Sequence, residues 1–181
     1  VDIGFDGKIY LGDFGGGWVR PDRGNIFTLA DPAHIDNPVV ADTQALFANG
    51  IDTLSSVQLG SLLTHLDQRV RQRAQFALVE RKESTLLEAA ASNVDGNLLS
   101  RLHGIWGLRQ LKLGDSLIPM LDDKDPEVRA QTARTMGELR ISYPPAVERM
   151  IALLADESAR VQAFSAIALG KVGAPTAASA I

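Results

Sequence analysis

The chain has 181 residues and a mass of 19.4 kDa, with 22 acidic and 18 basic side chains and no cysteine. Zinc ribbons, iron–sulfur clusters, disulfide scaffolds, cysteine nucleophiles and covalently attached haem all need thiols, so none belongs within these residues. No apolar run approaches the roughly 18 residues of a membrane span, and a net charge of −4 lacks the concentrated Lys and Arg of non-specific nucleic-acid binders.

The first 31 residues are rich in glycine and carry short β-favouring runs. Val1 to Phe5 alternates in hydrophobicity, Asp6-Gly7 is a hairpin-turn dipeptide, and Lys8 to Leu11 follows as a second strand. Asn25 to Leu29 reads as a third strand, after an irregular loop over Asp13 to Gly24. Three strands of this size bury too little apolar surface to stand alone. They are expected to be part of a larger sheet.

Asp31-Pro32 and Asn37-Pro38 mark a linker, because the residue before proline is pushed out of the helical region. Beyond it the pattern is helical. Val39 to Ala48 forms a helix stopped by Asn49-Gly50 as a left-handed C-cap. Ser55-Ser56 opens another, with Val57, Leu59, Leu62, Leu63 and Leu66 as its apolar positions.

From there the helices share a register. Anchors Val70, Ser100, Val128 and Val161 are spaced 30, 28 and 33 residues apart. After Val128, residues Thr132, Ala133, Met136, Gly137 and Leu139 recur as Ser165, Ala166, Leu169, Gly170 and Val172 after Val161. Ala74, Ala77 and Leu78 follow Val70, and Ile105, Leu108 and Leu111 follow Ser100. At about 100° per residue these positions fall within roughly 140° of arc, one buried face. A shorter helix precedes each later anchor: Leu86 to Ala91, Ser116 to Leu121 and Val147 to Leu154. Asp67, Asp123, Asp125 and Asp156 lie at the joints, where a carboxylate caps the next helix. Two helices per repeat unit, repeated, predict an α-solenoid. Gly104, Gly107, Gly137 and Gly170 fall inside second helices, and close helix approach is the plain reason to tolerate them.

The candidate sites read mostly as structure. The glycine run 15–17 lacks the lysine and Ser/Thr of a phosphate loop and leads into a strand. His34, His65 and His103 have no partners at metal-ligand spacing on one helix, and His103, three residues before Trp106, reads as a surface or helix-packing histidine. Asp122-Asp123 and Asp156-Glu157 sit at turns and read as caps or solvated pairs. Arg69, Arg71 and Arg73, with Arg81 and Lys82 beyond, form the one basic stretch and read as a solvated face. The residues after 32 carry 15 basic and 17 acidic side chains, which again disfavours nucleic acid. No catalytic or metal-ligating constellation is present.

Residues 125–139, Asp-Pro-Glu-Val-Arg-Ala-Gln-Thr-Ala-Arg-Thr-Met-Gly-Glu-Leu, and 160–173, Arg-Val-Gln-Ala-Phe-Ser-Ala-Ile-Ala-Leu-Gly-Lys-Val-Gly, resemble short bacterial HEAT repeats. The resemblance runs from about residue 55 to 181. The segment Asp-Gly-Lys-Ile-Tyr-Leu-Gly-Asp-Phe-Gly-Gly-Gly-Trp (6–18), followed by Arg-Gly-Asn-Ile-Phe (23–27), is similar to the last blade of glucose/sorbosone dehydrogenase-like β-propellers. Phe14 and Asn25 depart from the tryptophan and arginine usual there. A blade followed by HEAT repeats resembles the membrane-bound dehydrogenase-type proteins of planctomycete-type bacteria.

The expected fold is therefore mainly α, an α-α superhelix of short HEAT repeats with a small N-terminal β remnant of a propeller blade. The expected domains are 1–32, the blade fragment, and 33–181, the solenoid. The resemblance implies an exported or periplasmic parent that uses pyrroloquinoline quinone and haem c in regions outside this chain, which itself holds no cofactor. It also places the loop with Asp13, Trp18, Arg20, Asp22 and Arg23 on the propeller face that takes cofactor or substrate, whereas the residues alone assign that loop to packing, Trp18 above all. The chain opens without an initiator methionine and closes on Ala177-Ala178-Ser179-Ala180-Ile181 as if starting another helix, so an internal piece of a longer protein, truncated at its C-terminus, is expected. The implied function is a non-catalytic scaffold presenting a concave surface to a protein partner or neighbouring domain. The alternative is an adaptor of the bilin lyase-like type with a protein or pigment client.

Overall fold

A computed structural model of the chain describes residues 1–13, 24–173 and 175–177. Contacts divide it into two compact units, Val1–Thr53 and Leu54–Ile181. The class is the expected one, mainly α with a small antiparallel sheet at the N-terminus.

In the first unit, β1 (Asp2–Ile3), β2 (Ile9–Asp13) and β3 (Asn25–Leu29) pair antiparallel in chain order. The first strand is shorter than its alternating sequence predicts, because Asp6 organises the turn that follows it. Its carboxylate accepts from the Tyr10 hydroxyl at 2.8 Å and from the Lys8 backbone N–H at 3.2 Å, and Gly7 takes φ 74°. The register sets Ile3 opposite Ile9, Ile9 opposite Leu29 and Leu11 opposite Phe27. Directly opposed residues share a face, so these five form one apolar side, and Ile3, Phe27 and Leu29 on it remain more than half exposed. Helix α1 (Pro38–Asn49) belongs to this unit. Asn37 caps it through the Val39 N–H at 2.9 Å, Gly50 ends it at φ 83°, and its Phe47 stacks on Phe5 with centroids 3.9 Å apart. The change of composition at residue 32 thus precedes the contact boundary by one helix.

In the second unit, α2 (Ser56–Leu62), α3 (Gln68–Glu80), α4 (Ser84–Ser92) and α5 (Leu98–Gln110) are followed by a 3-10 segment, Asp115–Asp122. Helices α6 (Pro126–Leu139), α7 (Pro144–Ala152) and α8 (Ala159–Val172) complete it. Helices α3, α5, α6 and α8 pack on one another in that order and form one layer. Each is backed by its preceding partner, α2, α4, the 3-10 segment and α7. The predicted face is the buried one: Val70, Ala74 and Leu78, then Ile105 and Leu108, then Val128, Ala133 and Met136, then Val161 and Leu169.

Four expectations need correction. The segment over Ser116 to Leu121 is 3-10, not α, because Pro119 inside it donates no N–H and crowds the carbonyl four residues back. Val57 and Leu66, read as apolar positions of the second helix, are 71% and 77% exposed: α2 ends at Leu62, short of Leu66, and Val57 lies on its outer side. Arg71 is buried rather than solvated. Gly170 meets nothing within 4 Å of where a Cβ would sit, whereas a Cβ at Gly137 would lie 2.5 Å from Ala168 Cα and one at Gly104 would lie 2.6 Å from the Leu87 carbonyl oxygen. Gly137 and Gly170 hold equivalent repeat positions. The difference is that α8 packs on α6, while α8 is followed among the described residues only by a 3-10 turn, Pro175–Ala177.

A regularity hidden in the sequence lies twelve residues after each anchor. Lys82, Lys112, Arg140 and Gly173 all take positive φ, of 58°, 62°, 54° and 69°. At the first three, the next residue's N–H returns to a carbonyl five residues back: Glu83 to Leu78, Leu113 to Leu108 and Ile141 to Met136, each at 2.9 Å. This is the Schellman closure that glycine usually supplies. A non-glycine residue there costs on the order of 1 kcal/mol.

Two stability outcomes follow from this geometry. Lys112→Gly, at an exposed turn, raises thermal stability by about 0.5–1 kcal/mol, read as a higher melting temperature by circular dichroism. Gly137→Ala lowers stability by about 1–3 kcal/mol through overpacking, while Gly170→Ala raises it by up to about 1 kcal/mol through helix propensity. Equal effects at the two glycines would show that the α6–α8 contact does not set their roles.

Candidate interaction surface

The residue after each of the first three anchors is arginine, and each guanidinium works inside the stack. Arg71 Nη1 donates to the carbonyls of His65 and Leu66 at 2.6 and 2.8 Å. Arg129 Nη1 donates in the same way to Asp123 and Lys124 at 2.8 and 3.2 Å. In the fourth repeat Gln162 replaces arginine and reaches the Asp156 carbonyl at 2.6 Å. Arg101 instead donates through Nε to the Ala91 carbonyl at 3.2 Å.

The remaining guanidinium nitrogens cross to the next repeat. Arg101 grips both oxygens of Asp123, with both side chains almost wholly buried. Arg129 grips Asp156 through bonds of 2.8 and 2.9 Å. Burial pushes the Asp123 carboxyl up, but the Arg101 hydrogen bonds and the Asp125 N–H outweigh it and hold the group below the ordinary carboxylate range. The Arg129 hydrogen bonds hold Asp156 low as well, against burial. Asp67 and Asp125 cap α3 and α6 as expected, accepting from backbone N–H groups at 2.7 and 2.8 Å. Asp156 was expected in that role too, and it does accept from the Ser158 N–H at 2.8 Å. Ser158 is itself the N-cap position of α8 and its side chain makes no capping bond, so the roles divide: Asp67 and Asp125 cap helices, while Asp123 and Asp156 bond the N–H of the N-cap residue and pair with the preceding repeat. The pairing was missed from sequence, although the recurring arginine one residue past the anchor was visible there.

Arg71 meets an imidazole rather than a carboxylate. Its Nε lies 3.3 Å from His103 Nε2, and His103 Nδ1 lies 2.7 Å from Gln75 Oε1. These partners fix a neutral ring with its proton on Nδ1, donating to Gln75 while Nε2 accepts from Arg71. Burial, reinforced by the Arg71 charge, lowers the His103 pKa to about 4. The Trp106 ring meets the imidazole edge-on at 5.1 Å.

Around this floor a cleft of about 190 Å³ opens between α3 and α5, with Gln68, Gln72, Phe76, Trp106, Arg109 and Gln110 on its walls. Gln75 Nε2 donates to Gln110 Oε1 at 3.0 Å. Trp106 Nε1 donates to Gln131 Oε1 on α6 at 3.0 Å, and Gln131 Nε2 donates to Glu127 at 2.8 Å. Charged groups extend the same surface: Arg109 and Arg134 both pair with Glu138, and Arg160 of α8 pairs with Glu127 at 2.7 Å. Arg134 and Arg160 flank the Phe164 ring, 5.8 and 5.0 Å from its centroid. One polar and aromatic surface therefore runs across all four helices of the layer.

Of the loop expected to carry ligand contacts, Asp13 alone is among the described residues. Asp13 is exposed at the end of β2, opposite Asn25. Trp18, Arg20, Asp22 and Arg23 lie outside the described residues. His34 is exposed and bonds Asp31 at 2.7 Å, and the His65 ring accepts the Asp67 N–H at 3.0 Å. Among the described residues no cluster of His, Asp and Glu could hold a metal ion, and no helix is long and apolar enough to cross a membrane.

Residues 114–181 match the family model of HEAT repeats. The match spans the 3-10 segment, α6, α7 and α8, and the preceding helices continue the same two-layer packing. The chain thus contains a HEAT-repeat region, an architecture that serves as a repeat-based interaction module. No curated protein matches the chain in sequence.

The neutral His103 makes stability depend on pH. Its folded pKa of about 4 lies below the ordinary 6.5, so its contribution is complete above pH 6.5 and is lost as pH falls toward 4. The slope reaches about 1.4 kcal/mol per pH unit within that window. Denaturant melts from pH 4 to 7 should show this slope in the unaltered chain and a shallower one in His103→Gln, which isolates the imidazole from the carboxylates titrating below it.

Proposed function

We propose that the chain is a non-catalytic HEAT-repeat scaffold within a larger, exported sugar-dehydrogenase-like redox protein. The continuous surface across α3, α5, α6 and α8 carries the reading, because its side chains are aligned from repeat to repeat by Arg–Asp and amide bonds. The N-terminal sheet supports the propeller context. Its three strands follow one another antiparallel, and one face leaves Ile3, Phe27 and Leu29 largely uncovered, as expected of a sheet that packs on others. In this reading residues 1–32 close a propeller and residues 33–181 hold it relative to a further domain or a protein partner. Pyrroloquinoline quinone and haem c belong to parts of the parent outside this chain, where they supply electron transfer.

The test compares the 181-residue chain with the full reading frame that contains it. With an aldose, pyrroloquinoline quinone and calcium, the full protein reduces an artificial electron-accepting dye. The 181-residue chain shows neither turnover nor a thermal shift. An upstream sequence that continues as helices, or dye reduction by the short chain alone, overturns the proposal.

A further inference from the structure

We infer that the surface of the α3–α5–α6–α8 layer binds an extended peptide that places an apolar side chain in the Phe76–Trp106 cleft and acidic side chains over Arg134 and Arg160. The inference rests on the interaction-module reading and names the ligand class and the residues that read it.

Hydrogen-bond inventory is the first argument. The cleft's floor is internally satisfied, since His103 and Gln75 bond each other and Gln75 bonds Gln110, and the Trp106 indole N–H is taken by Gln131 of the next repeat. Its rim is not. Gln68 and Gln72 are exposed and their carboxamides make no hydrogen bond among the described residues, and the Gln110 carboxamide uses only its Oε1. A carboxamide offers an acceptor and two donors, which match the alternating C=O and N–H of an extended backbone. The Phe76 and Trp106 rings, both half-buried, offer flat apolar walls. At about 190 Å³ the space suits a single side chain, below the roughly 300 Å³ at which small-molecule pockets begin.

Charge is the second argument. The guanidiniums project further than the carboxylates that pair with them: Arg134 is 46% exposed against 24% for Glu138, and Arg160 is 56% against 28% for Glu127. The outer shell of the surface near Phe164 is therefore positive, and the layer beneath it is negative. Carboxylates on an incoming chain meet the arginines first. A polyphosphate backbone is disfavoured, because Glu127 and Glu138 lie on the same surface and the whole chain is net −4.

Spacing is the third. The cleft lies between α3 and α5, and the Arg134–Phe164–Arg160 cluster lies between α6 and α8, two helix steps further on. Packed helices stand about 8–10 Å apart, so the two subsites are about 16–20 Å apart. An extended chain rises about 3.3 Å per residue. The apolar and acidic residues of the ligand are therefore about five or six positions apart.

Random linear peptides displayed on phage and selected on the 181-residue chain test this directly, followed by fluorescence anisotropy of the selected peptides. The expected result is an enriched apolar residue followed or preceded, about five or six positions away, by Asp or Glu. Binding should weaken about tenfold or more in Gln72→Lys and in the Arg134→Ala/Arg160→Ala double variant. Both changes sit at exposed positions, and unchanged circular dichroism and melting temperature show that the variants are folded. Glu148→Ala, at an exposed position of α7 in the other layer, should leave affinity unchanged. No enrichment overturns the peptide assignment. Selected peptides that ignore the Gln72 and arginine variants but lose affinity in Glu148→Ala overturn this surface while leaving the interaction module standing. Binding of a short single-stranded oligothymidylate with the same sensitivity to Gln72→Lys and the arginine variants assigns the surface to nucleic acid and also overturns the proposal.

Discussion

A guanidinium buried between repeats is the constraint on which the solenoid depends. Arg71, Arg101 and Arg129 are nearly inaccessible to solvent, and a buried cation must recover in hydrogen bonds what it loses in hydration. Each does so by bridging its own turn and the following repeat: backbone carbonyls on one side, His103, Asp123 or Asp156 on the other. Removing one member of such a pair strands the other and typically costs about 3–5 kcal/mol. Replacing both members with apolar groups is often neutral, so the pairs act chiefly on register. A repeat displaced along its neighbour by one turn, about 5.4 Å, would leave both arginine and aspartate without partners. The unequal anchor spacings of 30, 28 and 33 residues are absorbed in the turns because the arginine fixes the helices that flank them.

Close helix approach is the complementary constraint. A Cβ at Gly104 would strike the Leu87 carbonyl and one at Gly137 would strike Ala168, so backbone meets backbone or a small residue at these crossings. The first of these crossings joins α5 to α4 and the second joins α6 to α8. Between α3, α5 and α6 the layer is tied by side chains on its surface, through the Gln75–Gln110 and Trp106–Gln131 bonds at 3.0 Å each.

Much of this was legible from periodicity. The anchors, the buried face they define and the capping aspartates rest on residue spacing, and spacing survives packing. What was not legible depends on partners distant in sequence or on backbone angles that no side chain announces. Lys82, Lys112 and Arg140 adopt the conformation of Gly173, yet lysine and arginine give no sign of a left-handed cap. The Schellman hydrogen bonds and the turns they close impose it. Arg71 looked solvated because its neighbours Arg69 and Arg73 suggested a basic face, whereas the carbonyls of His65 and Leu66 draw it inward. Pro119 sat in an apolar run read as α-helical, and its missing N–H explains the 3-10 form. The amide and indole cleft was invisible for another reason: its residues are polar or aromatic at positions where a helix surface tolerates almost anything, and only the juxtaposition of α3 with α5 makes them a site.

Register and recognition therefore rest on one set of bonds. The floor of the cleft is His103 and Gln75, held by contacts between repeats, and Arg71, the first of the register arginines, also holds His103. A ligand meeting such a floor does not have to order it, which lowers the entropic cost of binding. The same coupling fixes the reach of the surface. Because Arg129 locks α6 to the turn before α8, the separation between the Phe76–Trp106 cleft and the Arg134–Phe164–Arg160 cluster is a property of the stacked repeats rather than of any one helix. A loosened Arg129–Asp156 pair would leave the cleft intact and change the distance at which charge is offered, so selectivity for ligand spacing would degrade before binding at the cleft itself.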